Sequence, residues 1–274
     1  MPEGHTVHRL AEAFSAEFIG HSVAASSPQE RFAAGAERLD GRVLQAAEAY
    51  GKQMFLGFSE DIWLRVHLGL YGMWRFFGPG LEGIGRRRRH QEDAAFPPEP
   101  HGAVRLRLVT GSHVADLSGP TQCAVVSRAE MAVAVAGFGD DPLRDDAEPA
   151  RAYAKLHASR SALGLLLMRQ DIVAGIGNIY RAEMLFRAGL DPHRPGRELS
   201  PATWDVLWND ISGLLRDGVR TGRIITTGDR KTKRKASNYV AHRAGKPCLV
   251  CGNPVLAEPM AGRTLYWCAH CQTG

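Results

Sequence analysis

Apolar residues recur along the chain in two rhythms, and the rhythm changes near residue 137. Val7, Leu10, Ala11, Phe14 and Phe18 fall three and four apart. That spacing puts side chains on one helical face, so a helix is predicted from about Thr6 to Ile19, with Gly20 suited to ending it. The period then shortens. Ile62, Leu64, Val66 and Leu68 alternate with Trp63, Arg65 and His67, and Val104, Leu106 and Leu108 alternate with Arg105 and Arg107. Neighbouring residues of a strand point to opposite faces, so these runs read as half-buried strands. Several such runs punctuated by glycine predict a sandwich or barrel between about residues 20 and 127. The segment Gly78 to Gly102 has no period, and reads as an exposed, mobile loop.

Gly137 to Pro149, rich in Gly, Asp and Pro, reads as an interdomain linker, and helical patterns dominate beyond it. Leu163 to Met168 is strongly apolar, and Asn178 to Ala188 is a predicted helix closed by Gly189. Ser200-Pro201 suits the cap and first position of another helix, whose core stripe is Trp204, Leu207, Trp208, Ile211, Leu214, Leu215 and Val219. Gly222 to Ala241 is polar and basic, and is expected to be disordered without a ligand. The divisions expected are 1–136, a linker at 137–150, 151–225, a basic flexible loop at 226–241, and a cysteine module at 242–274. No internal repeat is evident.

With 274 residues, 44% of them hydrophobic, a sizeable core is assured. The formal net charge of +5 is modest but clustered: Arg86-Arg87-Arg88-Arg89 is one block, and Arg230, Lys231, Lys233, Arg234 and Lys235 another. Such blocks attract phosphate backbones, although a charge run alone more often marks a solvated loop. Glu3, His5, His8 and Arg9 interrupt any signal-like apolar start, and no run reaches the roughly 18 apolar residues of a membrane span. An intracellular protein that does not enter membranes is expected.

Three motifs carry chemistry. Cys248-x2-Cys251 and Cys268-x2-Cys271 stand sixteen residues apart, with Cys123 left over. Each pair presents two thiolates from one tight turn, and two pairs suit a closed four-sulfur site for one structural Zn2+ better than a redox role. Arg263, Leu265, Tyr266 and Trp267 fit the returning strand of a hairpin ribbon. The second motif is Met1-Pro2-Glu3-Gly4. Loss of Met1 leaves a secondary α-amine on Pro2. Because α-amino groups have pKa values near 8, about two units below lysine, a usable fraction is neutral at pH 7. Such an amine can attack C1′ of a deoxyribose to form an iminium ion, with Glu3 placed to shuttle protons. Taken alone, this start is common by chance. The third is Gly175-Ile176-Gly177-Asn178-Ile179-Tyr180, a glycine-rich turn entering a helix, where backbone N–H groups bind phosphate and Asn178 can both cap and contact it. A plain capped helix explains the same residues.

With Pro2-Glu3-Gly4, the Gly-Ile-Gly-Asn-Ile-Tyr turn and a four-cysteine module containing Gly262-Arg263-Thr264 in that order, the sequence resembles the formamidopyrimidine-DNA glycosylase/endonuclease VIII family over nearly its whole length. The resemblance implies an α+β chain: an N-terminal β-sandwich catalytic domain with an N-terminal helix, a helix-two-turns-helix DNA-binding domain, and a C-terminal β-hairpin zinc finger. It implies a bifunctional DNA glycosylase and abasic-site lyase of base excision repair, a monomer in the cytoplasm at the nucleoid. Its partner would be damaged DNA, with no organic cofactor. Pro2 matches the Schiff-base nucleophile and Glu3 its acidic neighbour. Lys52, in Tyr50-Gly51-Lys52-Gln53, matches the hairpin lysine that contacts phosphate and assists elimination. Asn178, with Gly177, matches the phosphate-binding turn, and Arg263 the zinc-finger arginine that grips phosphates. His67-Leu68-Gly69-Leu70-Tyr71-Gly72 resembles the loop filling the gap left by a flipped nucleotide, with Leu70 and Tyr71 as wedges. Its Leu-Tyr-Gly-x-Trp form is similar to the endonuclease VIII branch, which implies oxidised pyrimidines and β,δ-elimination.

Three departures count. Thr6 replaces a second glutamate of many members, and Asp116 and Gly164 stand where the purine-directed branch carries basic residues. The last two point away from oxidised guanine. Thr6 favours a competing reading, a catalytically silent damage-binding protein, against which stand Pro2, Glu3, Lys52 and Arg263. Oxidised purines, or abasic sites alone, are further alternatives. A zinc-ribbon transcription or RNA-binding module would leave the N-terminus unexplained.

Overall fold

The computed structural model describes residues 2–85, 96–228 and 236–274, which fall into two compact units, 1–137 and 138–274. Both arginine- and lysine-rich blocks noted above, and Met1, lie outside the described residues.

The first unit runs α1 (Gly4–Glu17), β1 (Ala24–Ser26), α2 (Ala33–Leu39), β2 (Leu44–Tyr50), β3 (Gln53–Phe58), β4 (Ile62–His67), β5 (Met73–Phe77), β6 (Val104–Val109), β7 (Val114–Ser118), β8 (Gln122–Ser127) and α3 (Arg128–Ala136). The strands form two four-stranded antiparallel sheets, ordered β1-β6-β7-β5 and β2-β3-β4-β8. One core of Phe14, Phe18, Leu56, Leu64, Trp74, Leu106 and Leu117 holds both sheets and α1 together. α1 begins two residues before the predicted start, because Glu3 already serves as its extended N-cap.

The alternation misleads at two positions. Trp63, on the polar phase of β4, is buried with Phe55 and Met131 in a second small core. α3 covers that face; its capping box, Ser127 with Glu130, is a start signal that stood in the sequence unread. Arg107, on the polar phase of β6, is also buried, because Asp116 sits opposite it across the sheet and accepts from its Nε at 2.8 Å. The described ends of the expected mobile loop are packed too. Leu81 is in the core, and the carbonyls of Pro79 and Pro98 bond His113 and Arg107.

The second unit runs α4 (Pro149–His157), α5 (Leu163–Leu166), α6 (Asn178–Arg187), α7 (Pro201–Thr221), β9 (Leu256–Met260) and β10 (Arg263–Trp267). α7 starts where Ser200 accepts from Thr203 N at 3.1 Å and Pro201 needs no partner for its nitrogen. Its predicted stripe packs against Tyr180, Met184, Leu156 and Leu166. The stretch expected to be a linker is folded onto this unit: Asp140 is buried and takes hydrogen bonds from Glu148 N and Arg151. The ends of the expected disordered stretch are folded as well. Thr226 N donates to Ser237 O at 2.8 Å, and Val240 and Ala241 are buried. Among the described residues no helix is long and apolar enough to cross a membrane.

Candidate active site and metal centre

The sequence-predicted residues divide between the units: Pro2, Glu3, Lys52, His67, Leu70 and Tyr71 in the first, Gly177, Asn178, Arg263 and the four cysteines in the second.

In the first unit, Pro2 is half-buried and Glu3 is 0% exposed, an unusual place for a carboxylate. Glu3 is extended (φ −117°), and its carbonyl accepts from Thr6 N at 2.9 Å, so the helix fixes the chain just behind Pro2. His5 is buried in the first turn of α1, and Thr6 Oγ1 lies 3.2 Å from its Nε2. Burial first, then the positive charge of the chain terminus and of Arg9, push the His5 pKa down to about 4, which keeps the imidazole neutral beside the terminus at pH 7.

Lys52 lies in the two-residue loop between β2 and β3, where Tyr50 pairs with Gln53. Gly51 has φ +59°, so the strands reverse in two residues and hold Lys52 at the end of the hairpin. His67, opposite Gln53 on β4, has its pKa lowered by burial and then by the charges of Lys52 and Arg65. Thr121 Oγ1 donates to His67 O at 3.1 Å and Thr121 N to the same oxygen at 2.9 Å, anchoring the strand end where the next loop starts.

That loop is built to expose its tip. Leu68 is buried, and Gly72 N donates back to Leu68 O at 2.9 Å. A Cβ on Gly72 would stand 2.2 Å from the same oxygen, so only glycine permits the closure. Between these anchors Leu70 is 40% exposed and Tyr71 82% exposed, an outward placement of two large apolar side chains that packing does not require.

In the second unit, the turn before α6 is propped by a residue the sequence reading missed. Gln170 Oε1 accepts from Gly175 N at 3.1 Å, and its Nε2 donates to Ile176 O at 3.0 Å. Gly177 precedes the helix, and Asn178 is its first residue. The expected cap by Asn178 is not formed. Its Nδ2 instead donates to Thr264 O at 2.8 Å, and its Oδ1 accepts from Arg181, tying the turn to β10. Glu183, also missed, is wholly buried. It accepts from Tyr239 N, Val240 N and Ala241 N at 2.7–2.8 Å and from Thr226 Oγ1. One carboxylate therefore fastens both described ends of the 226–241 segment to α6.

β9 and β10 reverse through Ala261 and Gly262, at φ +55° and +66°, the pair of left-handed residues a tight hairpin turn needs. Arg263 follows at once and is exposed. The four cysteine sulfurs lie within 4.8 Å of one another, with Cys251 to Cys268 at 3.5 Å and Cys248 to Cys271 at 3.9 Å. Tetrahedral zinc with Zn–S near 2.3 Å sets sulfurs about 3.8 Å apart. The donor set and its spacing thus suit one structural zinc ion, with no coordination position left for catalysis. His270 is exposed and outside the cluster. Cys123 stands apart, and burial pushes its thiol up to about 12.

Family models match in the same order. The formamidopyrimidine-DNA glycosylase N-terminal domain matches residues 1–118, the formamidopyrimidine-DNA glycosylase H2TH domain 138–229, and a zinc finger found in FPG and IleRS 245–274. Endonuclease 8 1 of Mycobacterium tuberculosis is 42% identical over 280 residues, covering all of both chains. A formamidopyrimidine-DNA glycosylase of Neisseria meningitidis is 30% identical over 251 residues, 86% of this chain and 84% of that one. Among solved structures, Lactococcus lactis Fpg in complex with N7-benzyl-Fapy-dG-containing DNA superposes with TM-score 0.79 at 20% identity, covering 100% of each chain. MutM (Fpg) from Thermus thermophilus gives 0.77 at 24%, covering 99% of this chain and 98% of that one. The last two show a shared fold.

Proposed function

The chain belongs to the formamidopyrimidine-DNA glycosylase/endonuclease 8 family of DNA glycosylases with abasic-site lyase activity, and we propose that it excises oxidised pyrimidines from damaged DNA and then cuts the strand by β,δ-elimination. The observation that carries the mechanism is Pro2 directly before a wholly buried Glu3 at the capped start of α1.

Once Met1 is removed, the neutral Pro2 amine attacks C1′ and the glycosidic bond breaks, its electron pair leaving with the base. Glu3 takes up the proton that the alkylated Pro2 nitrogen sheds and passes it to the ring oxygen as the sugar opens to the C1′ iminium. The iminium acidifies C2′. Loss of that proton expels the 3′ phosphate, and loss of a C4′ proton then expels the 5′ phosphate. Lys52, at a hairpin end beside a neutral His67, supplies positive charge to the phosphate and to the elimination. Asn178 and the backbone N–H groups of the Gly177 turn grip a phosphate at the start of α6, and Arg263 grips another from the hairpin tip. Zinc, held by Cys248, Cys251, Cys268 and Cys271, shapes the hairpin and takes no part in the chemistry.

Leu70 and Tyr71 support the flipping step, since exposed wedges can replace part of the few kcal/mol of stacking lost when a base leaves the helix. The purine-directed alternative is disfavoured by Asp116, which is buried against Arg107 rather than free to reach an orphan base, and by Gly164. We place the enzyme in the cytoplasm, acting as a monomer at the nucleoid. Single-turnover base release from matched duplexes, one carrying an oxidised thymine and one an oxidised guanine, tests the substrate. At least tenfold faster release of the pyrimidine is expected, and the reverse order would assign the enzyme to purines. Thr6 supports one rival reading, a silent damage binder, which requires binding with no base release from either duplex.

A further inference from the structure

Beside Glu183, α6 carries a second wholly buried charge, Arg181, to which the catalytic reading gives no role. Its Nη1 donates to Gly164 O at 3.1 Å and to Met260 O at 3.3 Å, and its Nη2 donates to Oδ1 of Asn178. The last bond decides which way the Asn178 amide faces. With Oδ1 taken by the guanidinium, Nδ2 turns to Thr264 O, 2.8 Å away. Met260 ends β9 just before the Ala261-Gly262 turn, and Thr264 follows Arg263. Arg181, directly and through Asn178, therefore fixes the chain on both sides of Arg263.

Gly164 completes the arrangement. A Cβ there would come within 2.6 Å of Met260 Sδ and 3.2 Å of Pro192 O, so a side chain at this position would have to displace Met260. The residue that departs from the purine-directed pattern is the one whose carbonyl Arg181 holds. A lysine could bring the charge into this space but not the planar fork that reaches two carbonyls and an amide oxygen at once.

We propose that Arg181 is a positioning residue that presets the Asn178 amide and the pose of Arg263 for phosphate binding. The inference rests on the phosphate roles proposed above for those two residues. Thr264 O engages one of the two Nδ2 hydrogens, so the amide keeps a second one to donate. An amide free to turn would offer Oδ1 to the phosphate half the time, and two like partial charges would then face each other.

A double-mutant cycle on the full-length, zinc-loaded protein tests this, using fluorescence anisotropy on a duplex with one tetrahydrofuran abasic analogue. Asn178→Ala and Arg181→Lys should each weaken binding about tenfold, the size of one charged hydrogen bond. The double variant should lose clearly less than the product of the two effects, because part of what Arg181 contributes runs through the amide. Arg181→Lys binding like wild type, or a double variant losing the product of both effects, would overturn the positioning role. If Asn178→Ala alone binds like wild type, the phosphate role of Asn178 falls, and the inference with it. Zinc content and melting temperature report on folding. Should the lysine variant lose zinc, Arg181→Met, which keeps the length of the side chain but removes the donor to Asn178, carries the same cycle with the same two outcomes.

Discussion

The two units hold their functional groups by opposite means. In the first, backbone closures and the apolar core do the holding: Glu3 caps α1, Lys52 sits at a two-residue reversal, and the Leu70–Tyr71 tip is pinched between Leu68 and Gly72. In the second, buried charges and a metal site do it. Arg181 and Glu183, both 0% exposed, tie α6 to the hairpin and to the 226–241 segment, and four sulfurs close the module beyond. Charges and metal ligands are lost in one step by substitution or chelation, whereas a backbone reversal degrades gradually. Perturbations should therefore separate grip from chemistry.

Removing a zinc ligand should separate them most. Structural zinc contributes about 10–16 kcal/mol to small metal-dependent modules. Cys268→Ser should lose zinc and specific DNA binding together, while the first unit still melts cooperatively. Elemental analysis with calorimetry checks this, and an undiminished zinc content would break the contrast. Glu183→Ala comes next. It leaves three backbone N–H groups without their acceptor, at roughly 1–3 kcal/mol for each buried orphan, while the Thr226 hydroxyl keeps Ser237 O. A fall of several kcal/mol in chemical denaturation is expected, confined to the second unit.

The smallest effect sharpens the comparison from the other side. His5 has a folded pKa of about 4 against an ordinary 6.5, so the fold favours the neutral ring. That contribution is intact above pH 6.5 and is lost as pH falls toward 4, amounting to at most about 3 kcal/mol. His5→Gln should flatten the pH dependence of the first unit's melting over that window and leave the second unit's unchanged. Equal slopes in wild type and variant would mean that His5 is not what acid attacks.

Much of this was legible in the sequence. α1, the β4 and β6 strands, the cap and stripe of α7 and the cysteine module follow from spacing alone, because each depends on neighbours within a few residues. Trp63 and Arg107 defeated the alternation because what buries them, α3 and Asp116, is supplied by other parts of the chain. Arg181 and Glu183 were missed for the same reason at longer range. They sit on a helix with ordinary surface-like composition, and partners 79 and 58 residues away decide that they are inside. Asn178 was found by its motif, but the cap expected of its side chain does not form, since capping is a local inference and Thr264 O is not local.

The central claim is that chemistry resides in the N-terminal turn and grip in the second unit. Borohydride trapping on a duplex with one abasic site, comparing wild type with Pro2→Gly, tests it most directly. The account predicts a covalent complex with wild type and its near-complete loss in the variant, with the two proteins binding the same duplex within about threefold, because no phosphate contact is removed. Equal trapping by both would place the nucleophile elsewhere and contradict the account.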